Sequence, residues 1–265
     1  MSFWGRNFSY GTFNSENYNI FISSPNGGDI STNGSSDVSL YTQEIFRRPT
    51  PYFYGVTQNK VLEFDVSFRT PYELDAQDYE AIAAKLFGQQ TYQKLQIDQY
   101  DIQDIYFNCF FKSPKMDKVG NIVRGITATV VCDSPWAWKF PQTTAYTFPI
   151  PITSIDNRTF INLSDNAFFT LPKVTFTMDR FGGDARFQSI QNTGTISVFT
   201  GLSPYETITM DNDLQIITSS TGLKRLSNFN KQWFKLVRGE NLIRFSLGNM
   251  ATWSMETKFA KKFGG

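Results

Sequence analysis

The sequence predicts a mainly β fold with one helix, on three observations. Period-two alternation recurs along the chain, most cleanly at Val61–Thr70 and Ala251–Phe259. A 3.6-residue apolar stripe occurs once, over residues 76–87. And 43 of the 265 residues are aromatic (26 Phe, 12 Tyr, 5 Trp), side chains that suit half-buried pleated surfaces.

Taken in order, Tyr18–Ile22 is the first apolar run. In Val61–Thr70, Leu62, Phe64, Val66 and Phe68 alternate with Glu63, Asp65, Ser67 and Arg69, which gives one core face and one wet face. The helix follows over Ala76–Phe87. Asp75 caps it, Asp78 and Glu80 sit at the positive end of its dipole, and Gly88 ends it. Its stripe of Tyr79, Ile82, Ala83, Leu86 and Phe87 must pack on a sheet. Asp104–Phe111 and Ile122–Cys132 are a pair of apolar strands. Lys173–Met178, Thr195–Phe199, Leu214–Thr218, Trp233–Val237 and Leu242–Leu247 continue to Ala251–Phe259.

Two stretches are irregular. Pro25–Asp37 is rich in Gly, Ser and Asn and is longer than a hairpin turn needs. Pro135–Pro151 carries four prolines and reads as a stiff extended connector. A boundary near residue 150 divides the chain into domains 1–150 and 151–265. Residues 1–150 hold 12 basic and 15 acidic groups, net −3, and residues 151–265 hold 13 and 9, net +4.

Composition excludes several chemistries. Without histidine there is no Ser-His-Asp or Cys-His catalysis, no His-ligated metal and no imidazole switch. A net charge of +1, with scattered basic residues, argues against nucleic-acid binding. Carboxylate pairs such as Glu63 with Asp65 or Asp211 with Asp213 fall on wet strand faces and turns. Asp211-Asn212-Asp213 lacks the rest of a calcium loop. No cofactor, metal site or enzymatic activity is expected. Cys109 and Cys132 read as buried free thiols. A hairpin turning around Lys115–Asn121 would set Cys109 opposite Arg124 or Gly125, well away from Cys132. No apolar stretch approaches the length of a membrane span, so a soluble protein made in a reducing cytoplasm is expected, with no membrane insertion.

Some aromatic residues lie where no strand period accounts for them. These are Phe3, Trp4, Phe8, Tyr10 and Phe13, then Tyr52, Phe53 and Tyr54, and Trp136, Trp138 and Phe140. Such residues are either sugar-stacking platforms or are buried by another subunit. The extended N-terminal segment favours the second role.

Several segments together resemble one family. An aromatic N-terminal strand precedes the Gly-rich segment. Arg47-Arg48 opens RRPTPYFYGV, which leads into VLEFDVSFRT and the helix. Gly120-Asn121 with Arg124-Gly125, the run Cys132-Asp133-Ser134-Pro135-Trp136, and the Leu236…Gly239…Asn241 pattern follow in order. In this order and spacing the chain is similar to the distal tail proteins of long-tailed bacteriophages (siphophages).

The resemblance implies an N-terminal β-sandwich domain that assembles into a hexameric ring at the tail tip. The loop 25–37 (Asn26, Gly27, Gly28, Asp29, Asn33 and Gly34) corresponds to an arm extended to a neighbour. Phe3, Trp4, Phe8, Tyr10, Arg47, Arg48, Tyr52, Phe53, Tyr54, Trp136 and Trp138 become candidates for subunit contacts. A galectin-like C-terminal β-sandwich would carry the adsorption apparatus, although residues 151–265 lack the His and Asn-Pro-Arg run of sugar-binding galectins. The implied partners are further copies of the chain, the tail-tube protein, the central tail-tip protein and receptor-binding or side-fibre proteins. DNA would pass through the lumen without specific binding. The implied location is the virion tail tip, and the host cytoplasm during assembly. The alternatives are a tail-tube protein, or a carbohydrate-binding module that uses Trp136, Trp138 or Trp253.

Overall fold

The computed structural model describes residues 5–25, 38–44, 50–58, 61–119, 122–148, 155–165, 169–191, 196–246 and 248–262. The chain forms two units: Met1–Lys139 together with Lys261–Gly265, and Phe140–Ala260.

The first unit contains β1 (Phe8–Tyr10), β2 (Phe13–Asn14), β3 (Phe21–Ser23), β4 (Val38–Gln43), β5 (Tyr52–Gln58), β6 (Glu63–Arg69), α1 (Ala76–Phe87), β7 (Gln93–Ile97), β8 (Ile105–Val119), β9 (Ile122–Cys132) and β10 (Ala137–Lys139). Its main sheet runs β2-β1-β7-β8-β9-β6-β3, with β10 added against β8. In a flat sheet β1 and β6, with three strands between them, would be separated by about 19 Å. Yet the rings of Phe8 and Phe68 lie 5.2 Å apart. Arg6 and Ile22 also exchange backbone hydrogen bonds of 3.0 and 2.9 Å. The sheet therefore folds over on itself, and its two halves enclose a core of Phe8, Ile22, Phe64, Phe68, Leu95, Phe107, Phe111 and Val130.

The helix keeps its predicted bounds. The Asp75 carboxylate accepts from the Asp78 N–H at 2.7 Å, and Ile82 and Leu86 are buried. Leu62, Phe64, Val66 and Phe68 face inward as the alternation requires. Gly125 has a steric reason. A Cβ there would collide with the Phe68 carbonyl oxygen, so the close approach of β9 to β6 needs a glycine.

The β8–β9 register corrects the cysteine prediction: Cys109 is directly opposite Cys132, not Arg124 or Gly125. The polar stretch from Lys112 does not turn. It continues as strand through a bulge between Lys112 and Lys115, where Ser113 takes φ +55°, and the pairing runs out to Val119 opposite Ile122. A second shift at Asp117/Lys118 restores the offset.

The second unit holds β11 (Gln142–Thr147), β12 (Asp156–Asn162), β13 (Lys173–Met178), β14 (Gly183–Ser189), β15 (Ile196–Leu202), β16 (Thr207–Asp211), β17 (Ile216–Ser219), β18 (Gly239–Ser246) and β19 (Met250–Thr257). Two sheets, β11-β19-β13-β16-β17 and β12-β18-β14-β15, face each other. Phe176 meets Phe187 and Phe199 at 5.7 and 5.2 Å, and Trp253 meets Phe245 at 5.1 Å. On the outer face of the five-stranded sheet, hydroxyl pairs Thr175–Thr209 and Thr177–Thr207 lie 3.2 and 3.0 Å apart. Because β11 pairs with β19, the division falls at Lys139/Phe140 rather than near residue 150, inside the stretch expected to be a connector. From Lys261 the chain rejoins the first unit.

Trp233–Val237 is extended, but its backbone pairing is a bridge from Leu236 to Thr170. Phe234 and Leu236 still alternate into the core, so the sequence pattern was real although a ladder did not form. Asn241 organises the approach to β18. It is fully buried, accepts from the Val237 N–H and donates to the Val237 and Gly239 carbonyls. This gives the Leu236…Gly239…Asn241 pattern its physical content.

Glu206 is a buried charge, which Arg225 grips through Nε–Oε1 at 2.7 Å and Nη2–Oε2 at 2.6 Å. Ser219 and Thr221 hydroxyls and the Ser203 N–H complete its shell. Burial opposes ionisation, but the Arg225 hydrogen bonds, then Ser219 and Ser203, outweigh it and hold the carboxyl down at about 2.

Candidate assembly surface

Where a partner can be contacted depends on which aromatic side chains the fold leaves outside. Phe8, Tyr10 and Trp136, expected at a subunit seam, are corrected here: all three are buried within their own unit. Phe8 and Tyr10 are successive inward positions of a three-residue strand, too short to declare its period in the sequence. Trp136 lies in the short excursion between β9 and β10, which continue along the same side of β8. Trp138, within β10, is half-buried. Phe3, Trp4, Arg47, Arg48, the loop positions Asn26, Gly27, Gly28, Asp29, Asn33 and Gly34, and the side chain of Phe53 lie outside the described residues.

Tyr52 and Tyr54 are exposed, and the structure adds Tyr41 to them, at 45, 67 and 56% of full accessibility. All three sit on the antiparallel ribbon β4–β5, which pairs with no other described strand. The ribbon has a register shift between Tyr41 and Thr42. The Tyr54 hydroxyl donates to Gln43 Oε1 at 2.9 Å, and the Tyr52 and Tyr54 rings lie 6.4 Å apart. Tyrosine presents a large rigid contact area with a polar tip, the composition of protein interfaces. A two-stranded ribbon alone is marginal in water, so an external surface packing on it would stabilise it. The sequence signal missed here was Val38–Gln43, where Val38, Leu40 and Thr42 alternate just before the Tyr-rich segment.

The groups weighed for chemistry are engaged otherwise. Glu63 pairs with Lys112 at 3.1 Å, and Asp65 accepts from Thr129 Oγ1 at 2.7 Å. Asp211 Oδ1 accepts from the Asp213 and Leu214 N–H groups, which makes the calcium-like fragment a turn. An open groove of about 440 Å³ is lined by Asn7, Asn14, Glu16, Gln96, Asp98 and Asp104. Its acids are partly tied up: Glu16 accepts from Asn7, and Asp104 pairs with Lys139. Among the described residues no cluster of three or more His, Cys, Asp or Glu is placed to hold a metal. Of the sugar-stacking candidates, Trp253 is fully buried, stacked on Tyr146 at 5.7 Å, and so offers no platform.

Comparison with known proteins follows the same two-part division. No curated protein matches the sequence. Among solved structures, the Dit protein of phage SPP1, described as a paradigm of the hub adsorption apparatus in phages infecting Gram-positive hosts, matches with a TM-score of 0.69. The match covers 96% of this chain and 99% of that one at 10% identity. A chain of the phage P2 baseplate in its activated conformation with Ca matches with a TM-score of 0.51, over 98% of this chain and all of that one, also at 10% identity. At such identity the likeness is one of fold. Sequence-family comparison goes further: residues 3–134 match the phage tail protein N-terminal domain and residues 136–255 the phage tail C-terminal domain. The chain therefore belongs to the phage tail proteins, with both domains of that family in order.

Proposed function

We propose that this phage tail protein is a distal hub: a structural, non-enzymatic component of the virion tail tip that closes into a six-membered ring. The ring joins the tail tube to the central tip protein and to host-binding proteins, and leaves a channel through which DNA passes without being gripped. It is assembled in the host cytoplasm. The observation that carries this reading is the end-to-end likeness to SPP1 Dit, both domains together, in a chain whose family is phage tail protein. The Tyr41, Tyr52 and Tyr54 ribbon supports it as a seam between copies, and the sandwich of five and four strands supports a galectin-like second domain. The carbohydrate-binding alternative has lost Trp136 and Trp253 as platforms.

Negative-stain imaging and light scattering of the full chain, with and without tail-tube protein, test the reading. Discrete six-fold rings are expected. The triple variant Tyr41→Ser, Tyr52→Ser, Tyr54→Ser is expected to stay monomeric with an unchanged melting temperature. Long tubes formed by the chain alone would identify a tube protein instead, and a strict monomer under every condition would remove the hub reading.

A further inference from the structure

The chain's two cysteines both lie in the first unit, and the fold brings them together from 23 residues apart in sequence. Their peptide groups point away from each other. The Cys132 N–H donates to the Leu62 carbonyl at 2.9 Å, on the β6 side, and the Cys109 carbonyl accepts from the Tyr10 hydroxyl at 3.2 Å. The adjacent pair, Asn108 and Asp133, does share a backbone bond, from the Asp133 N–H to the Asn108 carbonyl at 2.9 Å, and a side-chain bond between Nδ2 and Oδ2. Cys109 and Cys132 therefore occupy a non-hydrogen-bonded position of the antiparallel ladder. There the Cα atoms lie about 4.5 Å apart and the side chains are at their closest. A disulfide needs Cα atoms about 4.4–6.8 Å apart. Both side chains point into the same core, among Phe107, Phe111 and Val130, and both thiols are free.

We propose that Cys109 and Cys132 are a dithiol site that closes into a cross-strand disulfide, and that a small-molecule disulfide serves as oxidant whenever β8 and β9 part. One cysteine, deprotonated in the opened chain, attacks the oxidant RSSR and forms a mixed disulfide. RS⁻ leaves and takes up a proton. The second cysteine, deprotonated in turn, attacks the protein sulfur of the mixed disulfide and expels the other RS⁻. Two electrons pass from the cysteine sulfurs to the oxidant, and two RSH are released. In the closed fold the reaction is held off, because no oxidant reaches sulfurs that are fully buried. Burial and the neighbouring Asp133 also keep both thiols protonated. The site is thus gated by strand opening, and closing it would lock the register of the two strands.

The test uses the full chain and glutathione disulfide. One sample stays folded with the oxidant; another is unfolded in concentrated urea and refolded by dilution with the oxidant present. Both are then denatured, alkylated and weighed intact. The folded sample is expected to retain two alkylatable thiols. The refolded sample is expected to lose two hydrogens, take no alkyl group and recover the near-ultraviolet circular dichroism of the reduced protein. Its urea midpoint for the first unit should rise, by up to a roughly 300-fold smaller unfolding constant for a closed loop of about 24 residues. Cys132→Ala should carry one glutathione and show no rise. Two glutathione adducts on the refolded wild type, a disulfide form with a lowered midpoint or lost dichroism, or oxidation of the folded sample as fast as an exposed thiol would each overturn the proposal.

Discussion

Replacing Arg225 with Leu removes the partner of a carboxylate that has no access to water. In the native protein Glu206 is 1% exposed, and its two oxygens are satisfied by Arg225, Ser219, Thr221 and the Ser203 N–H. Stranding one member of such a pair costs about 3–5 kcal/mol, most of it the penalty for an uncompensated buried charge. The wild-type contribution can be worked independently. A folded value of about 2 against an ordinary 4.5, at 1.36 kcal/mol per unit, corresponds to about 3 kcal/mol. Because the folded value lies below the unfolded one, this stability is present above pH about 4.5 and is lost as pH falls through about 2. In R225L the remaining carboxyl titrates upward instead, so the variant should approach the wild type as pH falls. Urea unfolding of both proteins, followed by near-ultraviolet circular dichroism between pH 7 and pH 2.5, measures the gap. A loss under 1 kcal/mol at pH 7, or a gap that stays constant with pH, would refute the reasoning.

Three further outcomes are expected. Phe64→Ala should cost about 3–5 kcal/mol, because the ring is buried against Phe107 at 5.3 Å; a neutral result in calorimetry would put the β6 register in error. Gly125→Ala should lose at least about 1–3 kcal/mol, since its Cβ would collide with the Phe68 carbonyl, and the loss should appear as a lowered melting temperature of the first unit alone. Asn241→Ala should cost about 1–3 kcal/mol by stranding the Val237 N–H and carbonyl; equilibrium denaturation reads it directly.

Strand alternation made the inner faces legible. Phe64, Phe68, Phe176 and Phe245 all fell where their parity placed them, and the helix announced its own ends through Asp75 and Gly88. What the sequence concealed has physical causes. A charged, two-sided wet ribbon such as residues 112–119 carries no hydrophobic parity, so the sequence pattern does not distinguish it from a turn and does not fix the register that pairs the cysteines. Very short strands hide their period, and Phe8 and Tyr10 therefore looked like free surface when they are core. At the candidate surface the Tyr52 and Tyr54 side chains were readable as aromatics off the core pattern. Tyr41 was not, because β4 is six residues long and directly follows a Gly-rich stretch that has no strand period.

The return of the chain at Lys261 has a consequence for the order of folding. The first unit is assembled from two separate stretches of sequence, with the whole of the second unit between them. Domains generally fold as units in the order of synthesis. Here the first unit begins the chain, yet it gains its last residues only after the second unit has been made.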